Sequence, residues 1–403
     1  MKLTPRPDAV IVDAIRTPIA KGKAGGALSS IHPVDLLAQT LRQLIERNRL
    51  DAALVDDVLI GCVSQVGEQS ATPGRMAWLA AGLPEHVPAV TIDRKCGSSQ
   101  QAVSFAAQAI LAGQADIVIA GGVESMSRVR MGSAGAGADP FGAGVNRRYA
   151  PGLTSQGVAA ERVAEKWGIS RGELDEYAAR SHALAHSTDF TREIVPIRTP
   201  ESVVSEDSTI RPDTTPAGLA ELPSAFRTDE LARRYPEVRW NITAGNSSQI
   251  TDGASALLLT SAERAASLGL RPRARIHAMT AVGDDPLLML TAPIPATRRV
   301  LQRAGLTLDD IDHFEVNEAF ASVPLAWMRE LDVDPARVNP RGGAIALGHP
   351  LGASGARLMT TMLNALEASG GRFGLQVMCE AGGMANATII ERLEDGREHE
   401  SED

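Results

Sequence analysis

The chain has 403 residues, enough for two or three domains' worth of core, and its 44% hydrophobic and 22% charged content reads as soluble and globular rather than disordered. A formal net charge of −9 argues against nucleic acid as a partner, because backbone binding calls for a basic stripe, and no apolar run approaches a membrane span. Three cysteines (Cys62, Cys96, Cys379) without a secretory leader make no disulfide framework, so the reading is a cytoplasmic protein with reduced thiols.

Aromatics are only 3% and glycines number 37, so the core must be Ala, Val, Leu and Ile on closely packed elements. An apolar run at 9–12 has strand length. The segment 55–60 resembles 311–316, an offset of 256 residues (311 − 55), and the same offset carries Asp93 onto His349. After each point comes a small-residue turn (96–99; 352–355), an apolar helical stretch (102–111; 357–366), a glycine break and a strand (116–120; 374–378). Strands alternating with helices predict α/β halves of βαβαβ type, with parallel strands and helices on both faces, related by a pseudo-twofold.

Cys96 follows a strand at 89–92 and precedes an Ala-rich helix, so its sulfur is expected near a helix N-terminus, where the dipole, with Arg94 and Lys95, favours thiolate. The competing reading is a buried, inert cysteine. Cys62 ends an analogous strand without following glycines and is assigned to the core.

The stretch 123–239 reads as an inserted loop domain, with helices predicted at 158–167 and from Ser170 through His186, the latter opened by a Ser170/Glu173 capping box. His182 and His186 share one helix face but have no third ligand. Surface positions are expected for both, and no metal. One half covers 1–122 and resumes at about 240–270; the second spans 271–393, and 394–403 form an acidic tail.

In the second half Asn317 follows the strand ending at Val316, where it either N-caps a helix through Trp327 or holds a water or carbonyl. His349 stands in a glycine-rich loop before Pro350, which keeps it extended. That loop matches neither phosphate-binding spacing. Cys379 ends the strand 374–378 beside a glycine cluster, at the sheet edge where open α/β folds collect ligands.

Taken in order, Asp13 to Pro18, Cys96-Gly97-Ser98-Ser99, Ala120 to Ser127, Thr243-Ala244-Gly245-Asn246, Asn317-Glu318-Ala319-Phe320, the loop 342–355 and Cys379 resemble the thiolase family over nearly the whole chain. The resemblance implies a thiolase fold with an inserted loop domain, acyl-CoA and coenzyme A as substrates, no permanently bound cofactor, and a homodimer or dimer of dimers. It implies that Cys96 carries the acyl group, His349 is its base, Cys379 handles the α-carbon proton, and Asn317 holds an oxyanion water. It also implies oxyanion N–H groups at Cys96 and Ala381, and coenzyme A contacts at Arg211, Ser248 and Gln156.

Departures are Ala381 for a family glycine, where a positive φ would be costly, and Asp93 where asparagine is common. Ser155-Gln156, Leu290 and Ala292 point to a reshaped acyl pocket. The expected activity is cleavage of 3-ketoacyl-CoA, of long or steroid-derived chains. Alternatives are acetyl-CoA acetyltransfer in the synthetic direction and a non-catalytic acyl-CoA binder.

Overall fold

The computed structural model describes residues 8–394, so nearly all of the predicted acidic tail lies outside the described residues. Nine strands build the main sheet: β1 (Ala9–Arg16), β2 (Asp57–Gly61), β3 (Ala89–Ile92), β4 (Ile117–Ser125), β5 (Thr251–Ser261), β6 (Ala274–Gly283), β7 (His313–Val316), β8 (Phe373–Glu380) and β9 (Met384–Arg392). A two-residue strand, Ala20–Lys21, adds to β5, and the order is β7-β8-β9-β6-β1-β5-β4-β2-β3. That order is nearly a palindrome: β2, β4, β5 and β1 on one side answer β7, β8, β9 and β6 on the other, with β3 the extra edge. The halves meet where Val10 and Ile11 of β1 pair with Arg275 and Ala274 of β6.

The expectation of parallel strands holds only at the flanks. β3-β2-β4 and β7-β8 are parallel, whereas β5, β1, β6 and β9 join by antiparallel ladders. A short connection from β8 to β9 leaves room only for a hairpin, and parallel pairing needs a long crossover.

The first half carries α1 (Pro33–Arg47), α2 (Pro73–Ala80) and α3 (Ser98–Leu111), with a short helix at Ala262–Ser267 after β5. Residues 126–250 connect β4 to β5 and include α4 (Gln156–Lys166) and α5 (Arg171–His186). The second half has α6 (Pro293–Ala304), α7 (Ser322–Leu331) and α8 (Leu351–Ser369). α5 starts with the predicted capping box at Ser170 and Glu173. α1 starts with Pro33, and the His32 ring accepts the Val34 N–H.

α3 and α8 pack on each other, and each touches strands of both halves, so the pair forms the central layer. Their contact explains why 352–355, expected as a turn, is instead the first turn of α8. Small residues there serve close approach rather than chain reversal. A Cβ at Gly355 would strike the Gln100 backbone N, and one at Gly122 would strike the Gly352 carbonyl. Ala102, Ala106 and Ala107 of α3 and Met359, Met362 and Leu363 of α8 share one buried cluster with Ile11 and Leu257. Among the described residues no helix is long and apolar enough to cross a membrane.

Candidate active site

The turn between β3 and α3 is tightly wound: the Gly97 N–H donates to Arg94 O (3.1 Å), and the Ser98 hydroxyl donates to Lys95 O (2.5 Å) while accepting the Arg94 N–H (2.9 Å). Lys95 takes φ +51° and ties its ammonium to Asp93 at 2.6 Å. Cys96 is thereby held buried at the start of α3, among Met126, Leu351, Leu358 and Met378. Burial raises its thiol well above the ordinary range, reinforced by Cys379 and Glu380 and opposed by Lys95. This direction is opposite to the thiolate expected from the helix start. Burial, the largest influence, thus works against the stabilisation that the helix start was expected to give.

His349 is fixed from two sides. Its N–H donates to Gln249 O at 3.0 Å, and its ring Nδ1 stands 2.6 Å from the Ser354 hydroxyl. That hydroxyl has one proton and spends it on Pro350 O, 2.9 Å away. With that proton on Pro350 O, Nδ1 is the donor and Nε2 keeps its lone pair, an assignment made from the partners' roles. Nε2 faces the Asn317 amide nitrogen at 3.5 Å. Burial, and then the positive charge of Arg357, pull His349 down to about 3, so the imidazole is neutral.

Asn317 follows the last residue of β7, and its N–H donates to Val377 O at 3.1 Å. It is not a helix N-cap, since α7 starts five residues on, at Ser322. Its amide also acts on the Cys379 thiol, opposing the rise that burial causes, while its own carbonyl oxygen is buried without a partner. Cys379 lies within β8, one residue before its end, and burial followed by the Glu380 charge pushes its thiol up to about 12. Cys96, His349, Asn317 and Cys379 thus form one buried group where the two halves face each other.

Behind it, Glu318 accepts from Tyr177 (3.0 Å) and Ser181 (2.7 Å) of α5, from Asn339 (3.0 Å), and from the Ile345 N–H (3.1 Å). This buried carboxylate knits the Asn317 turn, the histidine loop and the insertion together. Tyr177, Ser181, Asn339 and Ser354 escape a reading of the sequence. Only the i, i+4 spacing of Tyr177 and Ser181 carried a local signal.

A cavity of about 660 Å³ opens onto Cys96 and Ala381, with Gln156 on its wall. Met131, Phe226, Phe320 and Leu351 make that wall mostly apolar. A larger hollow of about 860 Å³ beside Arg47 and Arg273 is polar and holds neither thiol. Arg211 and Ser248 do not line the 660 Å³ cavity. The Arg211 N–H donates to His182 Nδ1 at 3.1 Å, and the Ser248 N–H donates to Ala319 O at 3.0 Å. His182 is fully buried, contrary to the surface position expected; the insertion folds back over α5 and covers it, while His186 is exposed. Ala381 does not take a positive φ. The left-handed angles fall on Gly382 (φ +93°) and Gly383 (φ +77°), so alanine is tolerated there. Among the described residues no cluster of His, Cys, Asp and Glu is arranged to hold a metal.

A mirrored α/β scaffold that buries two thiols and a neutral imidazole at its seam defines an enzyme equipped for acyl chemistry on sulfur. The chain belongs to the thiolase family: residues 9–263 match the thiolase N-terminal domain and residues 270–392 the thiolase C-terminal domain. Its activity is thiolase-type acyl transfer. It is 49% identical to the steroid 3-ketoacyl-CoA thiolase FadA6 of Mycobacterium tuberculosis, over 96% of this chain and 94% of that protein. It is 46% identical to the 3-oxoadipyl-CoA/3-oxo-5,6-dehydrosuberyl-CoA thiolase of Escherichia coli, over 96% of this chain and all of that protein (100%). The crystal structure of the Bacillus anthracis acetyl-CoA acetyltransferase superposes with a TM-score of 0.83 at 36% identity, covering 96% of this chain and 99% of that one.

Proposed function

We propose that this enzyme cleaves bulky, apolar 3-ketoacyl-CoA with coenzyme A, giving acetyl-CoA and a shortened acyl-CoA through an acyl-Cys96 intermediate. The observation that carries the assignment of roles is the placing of His349, held at Nδ1 by Ser354 and facing Asn317 through Nε2, within the group that holds both thiols. The Cys96 sulfur attacks the 3-keto carbon as its proton passes to Nε2. The bond between C2 and C3 then breaks, and Cys379 delivers its proton to the acetyl carbanion. The imidazolium and the Cys379 thiolate neutralise one another before the second half-reaction. In that step coenzyme A loses its thiol proton to His349 and attacks the acyl-Cys96 carbonyl, and the proton returns to the departing Cys96 sulfur.

Asn317 holds a water that, with His349, stabilises one developing oxyanion, and the Cys96 and Ala381 N–H groups stabilise the other. One such donor is typically worth about 3 kcal/mol. Gln156, Arg211 and Ser248 contact coenzyme A, which enters as substrate rather than resident cofactor. The apolar wall of Met131, Phe226, Phe320 and Leu351 supports a large hydrophobic acyl group, in keeping with the steroid substrate in the name of the Mycobacterium tuberculosis relative. The working unit is a cytoplasmic homodimer joined along the free edge of β3. The domain division is a half at 1–122 and about 240–270, an insertion at 123–239 and a half at 271–393.

Incubation with acetyl-CoA should add one acetyl mass, localised to Cys96 by peptide mapping, and Cys96→Ser should abolish it. Intact protein that never acquires the adduct would refute the mechanism. Thiolysis rates across acetoacetyl-, medium-chain, long-chain and steroid-derived 3-ketoacyl-CoA decide the chain preference, and a clear optimum at acetoacetyl-CoA would overturn it.

A further inference from the structure

Glu380 closes β8 directly after Cys379, is completely buried, and has no hydrogen-bond partner for either carboxylate oxygen. Its carboxyl lies against Gly97, the residue after Cys96, so closely that a Cβ on that glycine would overlap it. No step derived above uses it. The internal repeat makes its situation unusual, because the 256-residue offset carries Glu124 of β4 onto Glu380 (380 − 124). Glu124 is also buried, yet it accepts the N–H groups of Val63 (2.9 Å), Ser64 (3.0 Å) and Gly352 (2.9 Å) and the Gln69 amide (2.9 Å). Gly352, in the first turn of α8, corresponds by that offset to Cys96 at the start of α3 (352 − 96). Two carboxyls thus occupy matching places against matching helix starts. One is solvated by four donors; the other has none in hydrogen-bond geometry and only the Asn386 backbone N–H close by.

A buried carboxylate without donors is costly, whereas the neutral acid is far less so. We propose that Glu380 works as a neutral acid beside the two thiols, a positioning residue whose ionisation in alkaline solution suppresses thiolate formation at Cys96. This rests on Cys96 being the acylated nucleophile.

The charges around Glu380 are few. On the turn before α3, Arg94 favours its ionised form, while Lys95 is engaged by Asp93. On β8 stands Cys379, and across on β9 are Ala385 and Asn386, which carry no charge. Asp284 and Asp285 approach the neighbouring Gly383 only through backbone carbonyls. Burial wins over Arg94 and the Asn386 backbone N–H, and pushes Glu380 up to about 8. Its charge, once present, raises both thiols further, after the effect of their own burial. Below that pH Glu380 is a neutral acid behind Cys96; above it an anion stands there.

The test is the rate of Cys96 alkylation by iodoacetamide, followed by peptide mass spectrometry from pH 6.5 to 10, in wild type, Glu380→Gln and Glu380→Leu. Wild type should climb in a stretched, two-step curve, because each thiolate formed above pH 8 faces a second anion. Both charge-free variants should follow one steeper step and react about tenfold faster at pH 9.5, one unit of thiol pKa being tenfold. The curves should converge towards pH 7. Equal rates at pH 9.5 would overturn the proposal, as would a single-step titration in wild type alone should neither variant fold. Acetyl transfer from acetyl-CoA at pH 7, run on the same samples, separates the two claims. Loss of the adduct with the alkylation difference intact refutes the role of Cys96 in turnover and leaves Glu380 as a thiol-tuning group.

Discussion

At the residue scale the site depends on which proton sits where, and Ser354 decides this for His349. If its hydroxyl did not give its proton to Pro350 O, Nδ1 could as well accept, and Nε2 would then carry a hydrogen facing Asn317. Ser354→Ala removes this lock and the ring's anchor together. Partners that orient metal-ligating histidines typically matter about 10–100-fold, and the same fixing of tautomer and ring applies to a catalytic base. We expect kcat/KM for thiolysis to fall by about that factor, with the fold retained by circular dichroism. Unchanged kcat/KM in a folded variant would contradict the assignment. Cys96, His349, Asn317 and Cys379 were singled out in the sequence by the joint order of motifs that resemble the thiolase family, no one of which was decisive alone, and the fold brings the four together. Ser354 was not, because its meaning is a contact made only once 350–355 wind into a helix. Tyr177 and Asn339 lie far from Glu318 in the chain and meet it only in the folded protein. The direction of the Cys96 shift was misread for a related reason. Sequence shows the helix start but not the burial that outweighs it.

At the scale of elements, the strands near 55–60, 89–92, 116–120, 311–316 and 374–378 and the helices at 158–167 and 170–186 form close to where they were read. In contrast, β5, β6, β9, α1, α2 and α6 were not read, and two misplaced boundaries share one cause. Residues 121–125 continue β4 and 352–355 begin α8 because glycine there answers to neighbouring backbone rather than to local turn preference. β3 raises a different question, since it pairs only with β2 and its other edge is free among the described residues. Val90 on β3, Phe105 and Leu111 on α3, and Met76 and Leu79 on α2 are all exposed, with Val90 at 45%. A free edge beside apolar side chains invites pairing with a second strand, and covering it is what a stable protein must arrange. If the homodimer forms there, Val90→Lys should shift sedimentation from dimer to monomer at micromolar concentration. A variant that stays dimeric would place the interface elsewhere.

At the scale of the whole molecule, buried titratable groups make stability a function of pH in two opposing directions. His349 and His182 are held neutral, pulled down to about 3 and about 4 from 6.5, by burial first and then by Arg357 and Arg211 respectively. Unfolding lets both take protons that the native state refuses, so their contribution is complete above pH 6.5 and is lost as pH falls below it. Glu380 works the other way. Its native value of about 8 lies above the ordinary 4.5, so its stability contribution is complete below 4.5 and disappears as pH rises to about 8. The histidines therefore act against acid and Glu380 against alkali, and the buried carboxyls Glu318, Glu161 and Asp252, also raised by burial, act on the side of Glu380. Urea midpoints for wild type should pass through a maximum near pH 6.5. Between 6.5 and 8 stability should fall by at most about 1.4 kcal/mol per pH unit, the slope of one proton. Glu380→Gln abolishes that decline, leaving a curve that rises from acid and then flattens. A wild-type midpoint still climbing from pH 6.5 to 8, or a Gln variant that keeps the decline, would mean that Glu380 is ionised in the native protein at neutral pH.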